Sequence, residues 1–380
     1  MLDTDIAAIV LAAGLSKRMG RFKPLLPLGA CSTIERVVKM FQSAGVADIL
    51  VVTGNRAAEV RQAATPLKVR CVENPDFIQG MFTSVQAGIR ALPSRSNAFF
   101  IHPVDIPLVR PQTVRRVMAA FGKGPAAIVY PTFAGRRGHP TLIKTSLGPG
   151  ILKWSGRGGL RGFLQRQEDD CLEVPVADEG VLLDLDTPED YRCLQARLSN
   201  EGLPTAEECR VLTETIQCVP ASIVAHSKAV AAVAYRLAQA LNRAGVRVDS
   251  ELVRTAALLH DIARSRKRGH AEAGARLLES HGFSRLAPVV GAHMDLETSE
   301  DQPVDEAQVV YLADKLVLGE QRVALAQRFA APLKKYGADP VAVAAIEKRR
   351  KNAGRILSKV ERLTGLDLDS IVGSSVNHEG

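Results

Sequence analysis

The feature that most constrains this chain is a short apolar run followed at once by a glycine-bounded basic loop, within residues 7–23. Residues 8–13 are rich in Ile, Val and Ala, which is typical of a strand buried on both faces of a parallel sheet. The run ends at Gly14, and the cations Arg18 and Lys23 follow it. Small residues let backbone N–H groups approach an anion, and cations neutralise its charge. The stretch predicts a phosphate-binding turn, with an ordinary solvated turn as the alternative.

Strands and helices are predicted to alternate through the residues that follow this loop. Such alternation favours a doubly wound, mostly parallel sheet with right-handed crossovers, which is an α/β fold. Ligands on these sheets bind beyond the carboxyl ends of the strands, where Gly14, Gly54 and Asn74 are expected. The predicted elements are strands 49–53, 69–72 and 98–101 and helices 32–44 and 57–64.

The length of 380 residues suggests about two or three domains. The stretch 198–205 contains Ser, Asn, Gly and Pro and is interpreted as a linker, which predicts domains over 1–200 and 205–380. Beyond the linker the strand pattern disappears, and apolar residues recur at helical spacing. We therefore expect the second domain to be all-α.

Composition excludes several kinds of binding site and partner for this chain. The six cysteines include no C-x-x-C pair, which argues against a zinc knuckle and a disulfide framework. Aromatic residues make up only 4%, without basic-aromatic interleaving, so the net charge of +8 favours a nucleotide partner over a nucleic acid. The acidic residues 1–5 lack the basic region of a secretory signal, and no apolar run reaches the roughly 20 residues of a membrane span. We expect a cytoplasmic protein with no membrane partner.

Polar side chains follow or precede several predicted elements. Asp105 comes just after the strand 98–101 and suits a Mg²⁺ ion, whereas His102 is expected to pack at the strand end. Ser84 lies near a helix start, where it would either cap the helix or contact a nucleotide. Residues 182–185 are predicted to form a strand that leads into a helix capped by Thr187.

Residues 11–20 together with Lys23 resemble the signature LAAGxSxRMGxxK of the MobA-like nucleotidyltransferases. Within that group the chain resembles the molybdenum cofactor cytidylyltransferases, because the guanylyl-transferring relatives usually carry a second Gly where this chain has Ala13. The D-x-P segment at Asp105, the G-x-x-G-H-P-x-L segment at 135–142 and the D-L-D-T-P-E-D segment at 184–190 match the family as well.

The resemblance implies a nucleotide-diphospho-sugar-transferase-like fold and transfer of CMP from CTP to molybdenum-bound molybdopterin, with release of pyrophosphate. It also implies a molybdoenzyme that receives the product. Alternatives are transfer of another nucleotide or to another phosphorylated acceptor, and a regulatory nucleotide-binding protein, since Arg157 replaces the Asp of the family's G-D-x-G-x-R loop. The implied site residues are Arg18, Lys23 and Asp105 for catalysis, Leu11, Ala12, Ala13, Gly14, Lys23, Asn74 and Ser84 for the nucleotide, Arg137 and His139 for the acceptor, and Asp105 and Asp186 for Mg²⁺.

The second domain carries imidazoles and carboxylates on successive predicted helices, an arrangement by which helical bundles bind divalent metals. Their order, H…HD…H…H…D, resembles the HD-type phosphohydrolases in the version with enough ligands for two ions such as Mn or Fe. Lys315 and the basic run 264–268 are candidates for substrate contact, with a solvated loop as the alternative for the run. His281 and His378 fit no ligand position. The implied ligands are His226, His260, Asp261, His270, His293 and Asp314.

Overall fold

The computed structural model describes residues 5–266 and 269–373. The chain divides into two compact units, which we call unit 1 (Met1–Glu201) and unit 2 (Gly202–Gly380). Some residues named above lie outside the described ranges. They are residues 1–4 of the amino-terminal stretch, Lys267 and Arg268 of the basic run, and His378. No described helix is both long enough and apolar enough to cross a membrane.

Unit 1 is built on an eight-stranded mixed sheet whose main path has the order β8–β5–β7–β4–β1–β2–β3, with β6 paired to β5. All neighbouring pairs are parallel except those of β7 with β4 and β5, and that of β6 with β5. The prediction of a doubly wound, mostly parallel sheet is confirmed. The strands are β1 (Ile6–Leu11), β2 (Asp48–Thr53), β3 (Arg70–Glu73), β4 (Ala98–Pro103), β5 (Ile128–Phe133), β6 (Arg136–Arg137), β7 (Thr141–Lys144) and β8 (Cys171–Pro175).

The centre of the sheet is apolar because β1 has neighbours on both sides and all six of its residues are buried. Helix α1 begins after Ser32, which forms a capping box with Glu35. Two short strands, Pro27–Leu28 and Cys31–Ser32, pair in the stretch between the basic loop and α1. The helices are α1 (Thr33–Ala44), α2 (Ala57–Ala64), α3 (Met81–Arg90), α4 (Pro111–Phe121), α5 (Gly148–Lys153), α6 (Gly159–Leu164) and α7 (Pro188–Ser199).

The strand predicted over 182–185 is wrong. A short 3₁₀ turn occupies Glu179–Leu182, and the chain beyond it joins no sheet. The backbone N–H of Leu185 instead donates to the carbonyl oxygen of Asp105, at 2.8 Å. A single bond to the loop after β4 therefore replaces a strand ladder. The predicted cap is present, since Thr187 accepts from the N–H of Asp190 at the start of α7.

Unit 2 is mainly helical, as the sequence predicted. The long helix α9 packs against α10, α13 and α15, and its buried face is mostly Ala, Val and Leu. Two paired two-residue strands, Val317–Leu318 and Gln321–Arg322, are an exception to the all-α expectation. The helices are α8 (Ala206–Arg210), α9 (Ala221–Arg243), α10 (Ser250–Leu259), α11 (His270–Ser280), α12 (Leu286–Gly291), α13 (Glu306–Lys315), α14 (Leu325–Tyr336), α15 (Pro340–Thr364) and α16 (Leu368–Val372).

The packing of α3 on the sheet depends on a glycine. A Cβ atom at Gly88 would lie 2.4 Å from Cγ2 of Ile9 and 3.3 Å from Cγ2 of Val52. Gly88→Ala is expected to lower the free energy of unfolding of unit 1 by about 1–3 kcal/mol, because an overpacked core must shift. Denaturant unfolding followed by the fluorescence of Trp154, the single tryptophan, would measure it.

The matched control is Gly124→Ala, because a Cβ there meets nothing within 4 Å. We expect this control to stay within about 0.5 kcal/mol of the wild type. Equal stability of the two alanine variants would contradict the packing argument.

Candidate functional sites

A cavity of about 890 Å³ opens at the edge of the sheet in unit 1 where β1 and β4 end. We call it the sheet-edge cavity. It is strongly charged, with four arginines and three aspartates among its lining residues. Of the residues predicted from the sequence, those that line it are Leu11, Arg18, Asp105, Arg137, His139 and Asp186.

Asp105 and Asp186 meet at one cation of the chain itself. The Nζ atom of Lys23 lies 3.0 Å from Oδ2 of Asp105 and 2.6 Å from Oδ1 of Asp186. Burial alone would lower the pKa of Lys23, but its contacts with Asp186 and Asp105 outweigh burial and raise that pKa above its ordinary value. The two carboxylates, 81 positions apart in the chain, therefore share the positive charge of Lys23.

Three local features hold this cluster in place. Asp105 follows β4, and the bond from the N–H of Leu185 to its carbonyl brings the next residue, Asp186, alongside. The N–H of Lys23 donates to Oγ of Ser16 at 3.1 Å, which closes the basic loop. Arg18 makes a second ion pair with Asp186, at 2.9 Å, from a side chain that is 73% exposed. Two oxygen-bearing side chains that converge on one cation are a donor set that suits Mg²⁺.

The turn after β1 is open. Ala12 and Ala13 are buried, and the N–H of Ala12 is taken by the carbonyl of Val52. Gly14 and Leu15 are exposed, and a Cβ atom at Gly14 would meet nothing within 4 Å. The loop is therefore exposed from Gly14 onward, and the assignment of Leu11, Ala12 and Ala13 to the nucleotide stays a prediction.

Asn74 and Ser84 form a buried pair. The Nδ2 group of Asn74 donates to Oγ of Ser84 and to Oγ1 of Thr83, both at 2.9 Å. Ser84 does not cap α3, because Gly80 occupies the capping position and no side chain bonds there. Neither residue lines the sheet-edge cavity, so the assignment of both to the nucleotide stays a prediction.

The predicted acceptor residues have different surroundings. The guanidinium of Arg137 pairs with Glu173 at 2.7 Å and with Glu168, and it lies over the ring of Tyr130. These contacts engage Arg137 within the chain while it also lines the cavity, so its assignment to the acceptor stays a prediction. His139 lines the cavity, and its Nδ1 atom is buried without a hydrogen-bond partner among the described residues.

Burial lowers the pKa of His139, against the opposing effects of the Ile101 carbonyl and Asp105, so its imidazole is neutral at pH 7. His102 is fully buried, with Nε2 at 2.9 Å from the carbonyl of Ile106, and burial lowers its pKa to about 3. This geometry agrees with a packing role for His102.

Two further arginines, Arg136 and Arg161, also line the cavity and were not predicted as site residues. Arg161 is the Arg of the G-x-x-G-x-R loop, so the resemblance contained a signal for it. Arg136 precedes Arg137 in the two-residue strand β6, and both line the cavity. No pattern in the sequence distinguishes which of these two neighbours is engaged with carboxylates.

Unit 2 brings all six predicted ligands into one cluster, which we call the His/Asp cluster. Five of the six form two trios with ligand atoms within 4.8 Å, His226–His260–Asp261 and Asp261–His270–His293. The sixth, Asp314, places Oδ1 3.3 Å from Nε2 of His226. Oδ2 of Asp261 lies 3.6 Å from Nε2 of His260, and its Oδ1 lies 3.3 Å from Nε2 of His270. Asp261 is therefore shared by the two trios, one oxygen facing each.

Main-chain carbonyls orient the imidazoles of this cluster. Nδ1 of His226, His260 and His293 lies 2.7–2.8 Å from the carbonyls of Gly319, Ala257 and Val290, respectively. A proton on Nδ1 leaves Nε2 as the ligand atom, which is how proteins orient metal-binding histidines. The Gly319 contact comes from the turn between the two short strands, an element that the sequence did not predict.

The donor set fits divalent metal ions. Nε2 of His260 and Oδ1 of Asp261 are buried and have no hydrogen-bond partner among the described residues. Burial alone would raise the pKa of Asp261, but the imidazoles of His270 and His293 lower it, so the carboxylate is ionised. Buried ligand atoms of this kind are costly unless something binds them.

Two cations adjoin the His/Asp cluster. Lys315 is buried and bonds to Oδ2 of Asp314 at 2.6 Å and to the carbonyl of His293 at 2.9 Å. Two of the three donors of Lys315 therefore bond within the cluster, and its contact with substrate stays a prediction. Arg264, from the basic run, is half exposed and places Nη1 3.0 Å from Nε2 of His270.

The shared carboxylate predicts an asymmetric response to mutation. Asp261→Asn is expected to remove most bound Mn, Fe, Co or Ni from the full chain, because both trios lose a charged ligand. His226→Ala is expected to keep part of the metal, since only one trio includes His226. Elemental analysis of protein purified under reducing conditions measures both.

Asp301→Asn, an exposed change in the same unit, is the control and should leave the metal content unaltered. Wild-type protein free of these metals would contradict the site, and so would equal metal content in Asp261→Asn and the wild type.

Comparison with known proteins identifies a family for each half of the chain. Residues 8–171 match the family described as MobA-like NTP transferase domain, and residues 223–318 match the HD domain family. The chain is 29% identical over 191 residues to the molybdenum cofactor cytidylyltransferase of Escherichia coli (strain K12), covering 49% of this chain and 93% of that protein. It is 32% identical over 205 residues to the nicotine blue oxidoreductase of Paenarthrobacter nicotinovorans, covering 51% of this chain and all of that protein.

Among solved structures, a nucleotidyl transferase from Methanothermobacter thermautotroptrophicus is similar, with 28% identity and a TM-score of 0.46. The superposition covers 51% of this chain and 98% of that one. On the sequence matches, the chain belongs to the MobA-like NTP transferase family and carries an HD domain in its second half.

Proposed function

We propose that unit 1 transfers CMP from CTP to the phosphate of molybdenum-bound molybdopterin and releases pyrophosphate. The observation that carries this proposal is the convergence of Asp105 and Asp186 on one cation at the sheet-edge cavity. The similarity to a molybdenum cofactor cytidylyltransferase supports the choice of CTP and of the acceptor. So does Ala13, which stands where guanylyl-transferring relatives usually have Gly.

The site chemistry is positioning and charge compensation. A Mg²⁺ ion held by Asp105 and Asp186 would neutralise charge on the triphosphate. The open loop after Gly14 offers backbone N–H groups to phosphate oxygens, and Arg18 adds an exposed positive charge beside them. Neutral His139 lines the same cavity and can bond the acceptor without adding charge.

The assay that tests unit 1 measures pyrophosphate release with each of the four NTPs, with and without molybdopterin. Release only with CTP and molybdopterin supports the proposal. Release with another nucleotide or acceptor identifies a different transferase, and binding without release identifies a regulatory protein. Because a relative of 32% identity is named as an oxidoreductase, oxidation of NADH and NADPH is followed in parallel.

Asp105→Asn is expected to lower the rate of pyrophosphate release by about a hundredfold or more, because it removes one of two charged ligands while the fold is kept. The matched control is Asp169→Asn, an exposed carboxylate in unit 1 outside the cavity, which should retain the wild-type rate. An Asp105→Asn variant as active as this control would refute the assignment.

For unit 2 we propose metal-dependent hydrolysis of a phosphate ester of a small nucleotide-like molecule. The shared Asp261 and the unpartnered ligand atoms of the His/Asp cluster support it. Metal bound there would lower the pKa of a water molecule and neutralise phosphoryl oxygens. Arg264, half exposed beside the cluster, supplies a positive charge at its solvent side.

Hydrolysis of p-nitrophenyl phosphate and bis(p-nitrophenyl) phosphate, with added Mn²⁺ or Fe²⁺, tests this activity. Asp261→Asn is expected to reduce the rate at least a hundredfold, and Asp301→Asn is expected to leave it unchanged. Hydrolysis that persists in Asp261→Asn, or that no metal stimulates, would count against the proposal.

A further inference from the structure

Lys23 stands where two carboxylates would hold a metal ion. Its Nζ atom contacts Oδ2 of Asp105 and Oδ1 of Asp186 at once. We propose that Lys23 competes with the divalent cation for these carboxylates and leaves them when nucleotide phosphates bind, so that metal binding and nucleotide binding are coupled through this one side chain. The inference rests on the function proposed for unit 1.

The geometry makes the two cations mutually exclusive. Mg²⁺ binds carboxylate oxygens at about 2.0–2.1 Å, so an ion shared by Oδ2 of Asp105 and Oδ1 of Asp186 would need the space that the ammonium group occupies. Two positive charges at this distance also repel each other strongly in a partly buried site. The Lys23 side chain is 11% exposed, and both carboxylates are about one quarter exposed. Lys23 therefore has to move before a metal ion can bind both carboxylates.

The backbone at Lys23 is fixed, so the movement falls to the side chain. The N–H of Lys23 bonds to Ser16, and its carbonyl accepts from the N–H of Leu26 at 3.1 Å. Pro24 follows directly and opens a short helical turn with Lys23 and Leu25. The flexible four-carbon stem of Lys23 can redirect Nζ without disturbing this turn.

Phosphates are the partner that would draw Lys23 away. An ammonium group that leaves two carboxylates loses both ion pairs, and it needs another anion in a site that is largely closed to water. The open loop from Gly14 to Arg18 lies on the same stretch of chain and is held to Lys23 through Ser16. A triphosphate bound along that loop offers the replacement, whereas metal alone offers none.

Arg18 is a weaker competitor. It pairs with Asp186 alone, and its side chain is 73% exposed, so water can solvate it when a metal ion arrives. Moving Lys23 off the carboxylates therefore costs more free energy than moving Arg18. The new contact of Lys23 with phosphate likewise contributes more to nucleotide affinity. By thermodynamic linkage, the factor by which nucleotide raises metal affinity equals the factor by which metal raises nucleotide affinity.

The experiment measures Mn²⁺ binding to the full-length protein by the electron paramagnetic resonance signal of free Mn²⁺, at one pH, without nucleotide. Lys23→Met is expected to bind Mn²⁺ about tenfold more tightly than the wild type, because the competitor is gone. Adding Asp105→Asn to Lys23→Met should abolish the gain, which assigns it to this site. A purely structural role for Lys23 predicts equal or weaker Mn²⁺ binding in Lys23→Met, and that result would overturn the inference.

Three further variants sharpen the comparison. Lys23→Arg keeps the positive charge and should stay within about threefold of the wild type. Lys123→Met loses a lysine at an exposed position outside the cavity and should match the wild type. Lys23→Gln, whose amide can still donate to the carboxylates, provides a second neutral variant if Lys23→Met does not fold; it too should bind Mn²⁺ more tightly.

A second series repeats the titration with a non-hydrolysable CTP analogue. The analogue should raise Mn²⁺ affinity by a larger factor in the wild type than in Lys23→Met, because only the wild type releases a competitor. If unit 1 binds no nucleotide, this second series is flat for every protein while the gain without nucleotide persists, and the failure then belongs to the proposed function. Absence of Mn²⁺ binding sensitive to Asp105→Asn in all variants would overturn both.

Discussion

The candidate site of unit 1 depends on one backbone hydrogen bond, from the N–H of Leu185 to the carbonyl of Asp105. The two aspartates that face Lys23 come from distant parts of the chain, and no shared strand or helix aligns them. Asp105 is fixed by the end of β4, which belongs to the buried centre of the sheet. The bond to Leu185 transfers that rigidity to the segment before α7, and the capping box of Thr187 and Asp190 fixes the segment from its other end.

Both units place carboxylates close together and balance their charge with cations. Each gathers carboxylates that would repel one another, and each sets cations of the chain against them: Lys23 and Arg18 in unit 1, Lys315 and Arg264 in unit 2. The buried cation differs in its effect. Lys23 contacts one oxygen of each candidate Mg²⁺ ligand, whereas Lys315 bonds to Oδ2 of Asp314 and leaves Oδ1 facing the histidines. In unit 2 the lysine holds one carboxylate oxygen in place, whereas in unit 1 the lysine lies between the two carboxylates.

The sequence predicted the elements that periodicity and burial determine. The central strands and the helices α1 and α2 lie within about two residues of their expected bounds, because their apolar runs and caps are local signals. The family and the fold class were likewise recognised from the motifs and are confirmed. The motif at 184–190 located Asp186, but the apolar residues before it suggested a strand, whereas a tertiary bond to Asp105 determines their structure.

The partners that individual side chains contact were harder to predict. Nothing local shows that Arg137 pairs with Glu168 and Glu173, since both partners lie more than 30 positions away. Lys315 follows a ligand in the sequence and suggested substrate contact, yet the packing of α13 buries it. The hydrogen bond between Asn74 and Ser84 likewise depends on how the chain folds back from β3 to α3. In each case the deciding partner is set by tertiary structure.

The reversed direction of β7 has a consequence for how this sheet edge can diversify. Parallel strands bring only their carboxyl ends to the edge, but β7 starts there, so the turn before it carries His139 to the same cavity as Asp105. One rim of the sheet thus collects side chains from loops of two kinds, those that leave strands and one that enters a strand. A change of length or composition within 134–140 can reshape the wall around His139 without moving β1, β4 or the aspartate that β4 positions.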